Sequence, residues 1–275
     1  MTAAARPRAA GFGATVAACL AILQRDLRGV LRSRSQLYSS LLFPLMLLAI
    51  LGAGVSDGLE PSSERIRDGD YSSFLVPGLV VMTALFSSTF SSASYYQDRD
   101  SGLLRVLMAS PHSPRVILLG KALGGITIGG AQAFALLCVA ALIPGIELEW
   151  QYGAFVGLLL ALVTVVLLAV FLNGLAQLAA SRIRTMQGFH LVMNLVLFPL
   201  LFFSGAFFPL HDLPVWLRVL AAANPLSYAV DLLHIAAYTD GSAHFGLALD
   251  LAVLGVLAPA VFLLGIGRRV LVDSG

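Results

Sequence analysis

Residues 54–58 read Gly-Val-Ser-Asp-Gly. This is the Gly-x-Ser-x-Gly pattern in which a strand-turn-helix elbow presents a nucleophilic serine. Here it falls at the end of an apolar run that opens into a loop, so Ser56 lacks the elbow and hydrolase chemistry is not expected. Lys121 is the only lysine, and Ala122 follows it. A phosphate-binding loop needs Gly-Lys-Ser/Thr, so this chain is not expected to be an enzyme that hydrolyses ATP; if ATP drives it, another chain binds the nucleotide. Histidines 112, 190, 211, 234 and 244 include no pair four apart. A His-Glu-x-x-His metal site is therefore excluded, and no metal is expected. Asp57, Glu60, Glu64, Asp68 and Asp70 read as a solvated loop rather than an acid-base site.

Other polar residues stand inside apolar runs. Ser87, Ser91 and Ser94 share one helical face, Asn173 and Gln177 lie one turn apart, and Gln187, His190 and Asn194 open a later run. Such residues either hydrogen-bond between helices or line a substrate route. Buried carboxylates, which ion-coupled transporters place mid-membrane, are essentially missing from the runs. Asp250 reads as lying within reach of the interface.

These residues must be positioned by membrane helices. The chain has 275 residues, is 58% hydrophobic and only 12% charged. Its apolar runs approach the roughly 20 residues a helix needs to cross a bilayer. Six spans are expected, at about 37–55, 74–94, 116–143, 153–180, 189–208 and 245–267. Residues 1–12 are expected to be a loose tail and 13–275 a single all-α membrane domain. Fourteen of the 17 basic residues fall on one side of that arrangement. The positive-inside rule then puts both termini and the 95–115 segment in the cytoplasm. Between Val16 and Val30, apolar residues recur at helical spacing opposite Gln24, Arg25, Arg28 and Arg32, which predicts an amphipathic helix in the cytoplasmic interface. Gly120, Gly124, Gly125, Gly129 and Gly130 allow close helix approach. Cys19 and Cys138 read as small buried hydrophobes.

Two segments are unlike the spans. Pro209, Pro214 and Pro225 cut residues 204–234 into pieces too short to cross. Short helices are expected at about 215–222 and 226–237, dipping into the outer leaflet. Between spans two and three, Asp100 or Ser101 can cap a short helix that runs to about Ala109, with Leu103, Leu104 and Leu107 as an apolar patch. Pro111 stops it, Ser113 caps the third span and Pro114 takes that span's first position. An exposed leucine patch in the cytosol requires lipid or a partner.

Two motifs carry a family resemblance. The first is Tyr96-Gln97-Asp98-Arg99-Asp100-Ser101-Gly102-Leu103-Leu104-Arg105-Val106-Leu107, followed by Ser110-Pro111 and Gly120-Lys121. The second is Ser204-Gly205-Ala206-Phe207-Phe208-Pro209, then Leu213-Pro214-x-Trp216-Leu217 and Asn224-Pro225-Leu226-Ser227-Tyr228-Ala229-Val230-Asp231. Over about residues 20–270 the chain resembles the membrane subunits of ABC-2 type exporters, in their daunorubicin-resistance and nodulation-export branch. The resemblance implies a permease in the bacterial plasma membrane, paired with an identical or different second permease and with ABC ATPase subunits that bind ATP and Mg. No cofactor is expected on this chain, and no nucleic acid. It implies that Asp98, Arg99, Asp100, Gly102, Leu103, Leu104, Arg105 and Leu107 belong to a coupling helix spanning 98–109 that docks on the ATPase. It implies that Pro209, Pro214, Trp216, Asn224, Pro225, Tyr228 and Asp231 belong to a re-entrant helix pair closing the outer mouth. Ser87, Ser91, Ser94, Asn173, Gln177 and Asn194 are candidates for the substrate route. The expected cargo is an amphipathic drug or secondary metabolite, or a lipid; the alternative is an ion-coupled transporter or channel without an ATPase. The chain departs from the family where Asp98 and Asp100 replace the usual Glu and His234 replaces a frequent Arg.

Overall fold

The computed structural model of the protein describes residues 12–33, 38, 41–51, 71–108, 113–144, 146, 148–238 and 244–273. The Gly-x-Ser-x-Gly stretch, the acids at 57–70, residues 1–11 and Ser110-Pro111 lie outside the described residues. Regular structure among the described residues is helical: α1 (Phe12–Arg32), α2 (Leu41–Leu51), α3 (Tyr71–Asp100), α4 (Leu103–Met108), α5 (Pro114–Ala140), α6 (Ala154–Ala180), α7 (Met186–Phe202), α8 (Val215–Ala223), α9 (Pro225–Ala237) and α10 (Leu247–Asp273).

Local chemistry sets several boundaries. Pro114 takes the first position of α5 after an extended Ser113, whose hydroxyl makes no cap hydrogen bond, contrary to expectation. Thr185 accepts from the Gly188 N–H and starts α7. Asn224 starts α9 by accepting from the Leu226 N–H at 3.0 Å, while its amide donates to the Leu200 carbonyl. Pro214 stands just before α8 rather than inside its first turn.

Among the described residues four helices, α3, α5, α6 and α10, are long and apolar enough to cross a bilayer, and the bent pair α8–α9 would make a fifth if it formed one span. Six were expected. The 17 residues of α7 rise only about 26 Å against a hydrocarbon core of about 30 Å, and α2 is shorter among the described residues. The seventeen end where the chain turns at Phe203–Phe208, residues that fall inside the expected fifth span. Conversely, α3 has 30 residues and reaches about 45 Å, well past the expected end at Ser94. Helices α8 and α9 meet at 91°.

Leu75, Leu79, Leu168, Leu172, Phe189 and Met193 fill the centre of the bundle. Two crossings depend on absent side chains. A Cβ on Gly174 would come within 2.6 Å of the Phe262 backbone, and one on Gly265 within 2.6 Å of the Gly174 carbonyl, so α6 and α10 touch backbone to backbone. On α5, Gly120 and Gly124 face Cys19, Ile22 and Asp26 of α1. Helix α1 is thus docked on the bundle, with Val16, Leu20 and Leu31 left exposed on its other side.

The alternating helices give the bundle two ends. At one lie Arg25, Arg99, Arg115, Lys121, Arg182, Arg184 and Arg268; at the other lie Tyr71, Trp150 and residues 204–238 and 244–246. Among the described residues Arg218 is the one basic side chain at that second end.

Candidate functional site

The basic end carries the first candidate site. Asp98, in the last turn of α3, receives Lys121 of α5 and, at 2.6 Å, the Arg25 Nη2 of α1. Arg25 also donates to Asp26 through Nε at 3.0 Å and Nη2 at 2.6 Å, and Lys121 lies 3.6 Å from Asp26. Two cations and two anions therefore balance, on three helices. The Lys121 side chain is only 7% exposed. An ion so far from water needs its partners, because desolvating it alone costs several kcal/mol. Close packing at Gly120 and Gly124 brings α1 near enough to supply them.

Directly after Asp98 the long helix ends. The Ser101 and Gly102 N–H groups bond back to Gln97 and Arg99, and Gly102 takes φ +76, which a Cβ would disfavour. Asp98, Arg99 and Asp100 thus belong to α3, and the short helix is the six residues of α4 rather than 98–109. The patch differs as well. Leu104 turns into the core, whereas Leu103 is 36% and Val106 68% exposed, with Leu107 half-buried beside them. At 100° per residue, positions 103, 106 and 107 share a face and 104 stands away from it. Arg99 and Asp100 are exposed, and Arg99 donates to the Arg184 carbonyl at 3.1 Å. The side chain of Arg105 lies outside the described residues.

The opposite end carries the second candidate site. Gly205, at φ +81 against the Leu210 side chain, turns the chain into Pro209 and a 3-10 turn over Leu210–Asp212. Helix α8 exposes Trp216, and α9 is buried along its length. Both ends of α9 meet the same end of the bundle: Asn224 reaches Leu200, the Trp150 N–H donates to the Ala237 carbonyl, and the Tyr238 hydroxyl donates to the Ser73 carbonyl. Tyr228 donates to the Ala222 carbonyl at 2.6 Å and packs on Phe245. Buried Asp231 accepts from three backbone N–H groups, His244 at 2.6 Å, Phe245 at 2.8 Å and Gly246 at 3.4 Å. It thereby caps α10 from outside.

Asp250 was expected near the interface. It is 0% exposed, its carboxyl lies against Asp231, and neither of its oxygens meets a donor among the described residues. His211 and His244 place their Nδ1 atoms 3.3 Å apart. Burial first, and then His211 and Arg218, hold His244 below the ordinary histidine value; Asp231 opposes them. His234 is buried beside Phe74 and Tyr238.

The polar residues of the spans meet one another inside the bundle. Ser87 donates to Gln132, the Asn173 amide donates to Ser88 at 3.5 Å and to the Ala169 carbonyl at 3.0 Å, and Ser91, Lys121, Asn173 and Gln177 line a cavity of about 10 Å³. That is the lower limit for one water. Ser94 is half-buried, and Asn194 sits on the exposed side of α7, apart from the rest. Asp26, Gln132 and Ser88 were not among the candidates. Asp26 could have been noticed as the one acid of an otherwise basic helix face.

Residues 17–238 match the family described as ABC-2 type transporter. A protein of Cyanophora paradoxa carrying the name transport permease ycf38 is 29% identical over 71% of this chain and 65% of its own length. Nodulation protein J of Rhizobium meliloti is 27% identical over 74% of each chain. The daunorubicin resistance ABC transporter permease protein DrrB1 of Streptomyces coeruleorubidus is 25% identical over 69% of this chain and 62% of its own. The matched part thus spans somewhat under two thirds of some relatives' length.

Proposed function

Since the chain belongs to the ABC-2 type transporter family, we propose that it is the membrane permease subunit of an ATP-driven exporter, with ATP and Mg held by a separate ABC ATPase. One observation carries this reading. At the Lys/Arg-rich end, a six-residue helix exposes Leu103 and Val106 to a side where no residue of this chain covers them among those described. Exposed apolar residues of that kind need a partner. Helix α4 hangs between α3 and α5, so a push on it reaches two long helices. Asp98 does not face the partner in this reading. Its ion pairs to Arg25 and Lys121 hold α1, α3 and α5 together, making it a positioning residue, while Arg99, Asp100, Leu103, Leu107 and Val106 present the docking face.

The basic end is then cytoplasmic, along with both termini, by the positive-inside rule. Helices α2 and α7 complete six spans, α7 by drawing on the residues around its ends. The α8–α9 pair is re-entrant: both ends of α9 bond to one end of the bundle, so it does not cross. Pro209, Pro214, Trp216, Asn224, Pro225, Tyr228 and Asp231 build this outer cover. The cavity at Ser91, Asn173 and Gln177 is about 10 Å³, room for no more than one water, so the cargo route is taken to run between two permease copies rather than through those residues. The cargo class is an amphipathic drug, secondary metabolite or lipid. An ion-coupled mechanism would draw on Asp231 and Asp250, but Asp231 is committed to three backbone N–H groups and both lie at one end of the bundle.

The test is co-purification. The chain is expressed with a P-loop ABC ATPase from the same genome, and Val106→Glu is expected to lose the ATPase while the permease still inserts. Full retention of the ATPase by that variant would remove α4 from the interface; failure of the wild-type pair to associate would remove the partner.

A further inference from the structure

At the basic end, α6, α7 and α10 leave a groove of about 310 Å³ between them. Leu175, Leu178, Ala179, Val192, Met193 and Val196 line it together with Arg182 and Arg268. The surface it presents is almost wholly apolar, and the two arginines carry their charge beside it. Both arginines are exposed, and neither has an ion-pair partner among the described residues. The turn carrying Arg182 leads straight into the N-terminus of α7, where the first N–H groups lack intrahelical acceptors and the dipole favours an anion. Only Met193 is sealed into the floor, while Leu195 on α7 and Leu263 and Leu264 on α10 are exposed nearby, as expected of a surface facing lipid.

We propose that this groove binds one anionic phospholipid of the surrounding bilayer, with an acyl chain along α6 and α7 and its phosphate between Arg182 and Arg268. An apolar groove with two arginines beside it matches an acyl chain that ends in a phosphate, and basic pockets between membrane helices recognise such headgroups. Arginine suits the phosphate because its planar fork can give two hydrogen bonds to it. The lipid would fasten α10 to α7 at a point where the backbone contacts of α6 with α10 do not reach. The proposal needs only that the chain lies in a bilayer, and stands apart from the transport reading.

The full chain, purified in detergent, is mixed with phosphatidylglycerol or with phosphatidylcholine of the same acyl chains, and retained lipid is counted by native mass spectrometry. One tightly held phosphatidylglycerol is expected, preferred over phosphatidylcholine. The variant Arg182→Gln/Arg268→Gln should weaken it roughly thirtyfold, from about fivefold for each arginine at a membrane surface. Val196→Trp, which fills the groove and keeps both charges, should also lose it, and Arg218→Gln at the far end should not. Equal retention of the two lipids, unchanged retention in the double variant, or a second copy of the chain covering the groove (a Val196→Cys disulfide between copies) would each overturn the assignment. If the double variant proves unstable, Val196→Trp alone decides.

Discussion

Asp98 holds Arg25 of α1 and Lys121 of α5 at the end of α3. An acid before a short helix at the basic end looks like a docking charge. Its partners Arg25 and Lys121 stand 73 and 23 positions away, which no local pattern reveals. The consequence is measurable. Lys121→Met leaves Asp26 and Asp98 facing one arginine and should lower stability by about 3 kcal/mol, the range for an uncompensated buried ion. Adding Asp26→Asn restores the charge balance and should recover part of that loss. Thermal unfolding of the four members of this cycle in detergent measures the coupling, and strict additivity would mean the charges act independently. The acids at the other end separate in the same way. Asp231→Ala strips three N–H groups of their acceptor and should cost about 2 kcal/mol. Asp250→Asn replaces a carboxyl that meets no donor with an amide that can donate to Asp231, so its melting temperature should equal or exceed wild type. Equal losses from the two substitutions would refute this division of roles.

Elements were legible where punctuation is local. Pro214 and Asn224-Pro225 marked α8 and α9 to within a residue or two, because a missing N–H and a capping amide act on their immediate neighbours. The junction of α3 with α4 was misplaced, since a helix of polar residues continues through Asp100 when tertiary ion pairs hold its last turn. The buried serines and Asn173 were visible as anomalies in apolar helices, but only packing showed that they satisfy one another. The join of α9 to α10 adds a pH response. His244 is held below the ordinary histidine value of 6.5 by burial, His211 and Arg218. The unfolded loop therefore takes up protons more readily, so this contribution is complete above pH 6.5 and is lost as pH falls through the depressed folded value. Melting curves at pH 7.5 and 5.5 should show an acid-side loss that shrinks in His244→Gln. An identical loss in that variant would place the sensitivity elsewhere.

At the scale of the whole molecule, the two ends differ in charge and in backbone, and these differences support each other. Helices that cross have their backbone groups paired internally, so irregular segments gather at the ends. One end gathers α4, the 181–185 turn and nearly all the described cations; the other gathers the Gly205 turn, α8 and α9. If cation placement fixes orientation, a single probe at each end tests the entire fold. In a background where Cys19 and Cys138 are replaced by alanine, Ser113→Cys stands just before α5 at the basic end and Trp216→Cys stands exposed on α8 at the other. A membrane-impermeant maleimide added to intact cells should label position 216 and leave position 113 untouched until the membrane is opened. Labelling of both from outside would mean that α3 and α5 do not cross. The reverse pattern would turn the protein over, putting α4 outside the cell and out of reach of any ATPase.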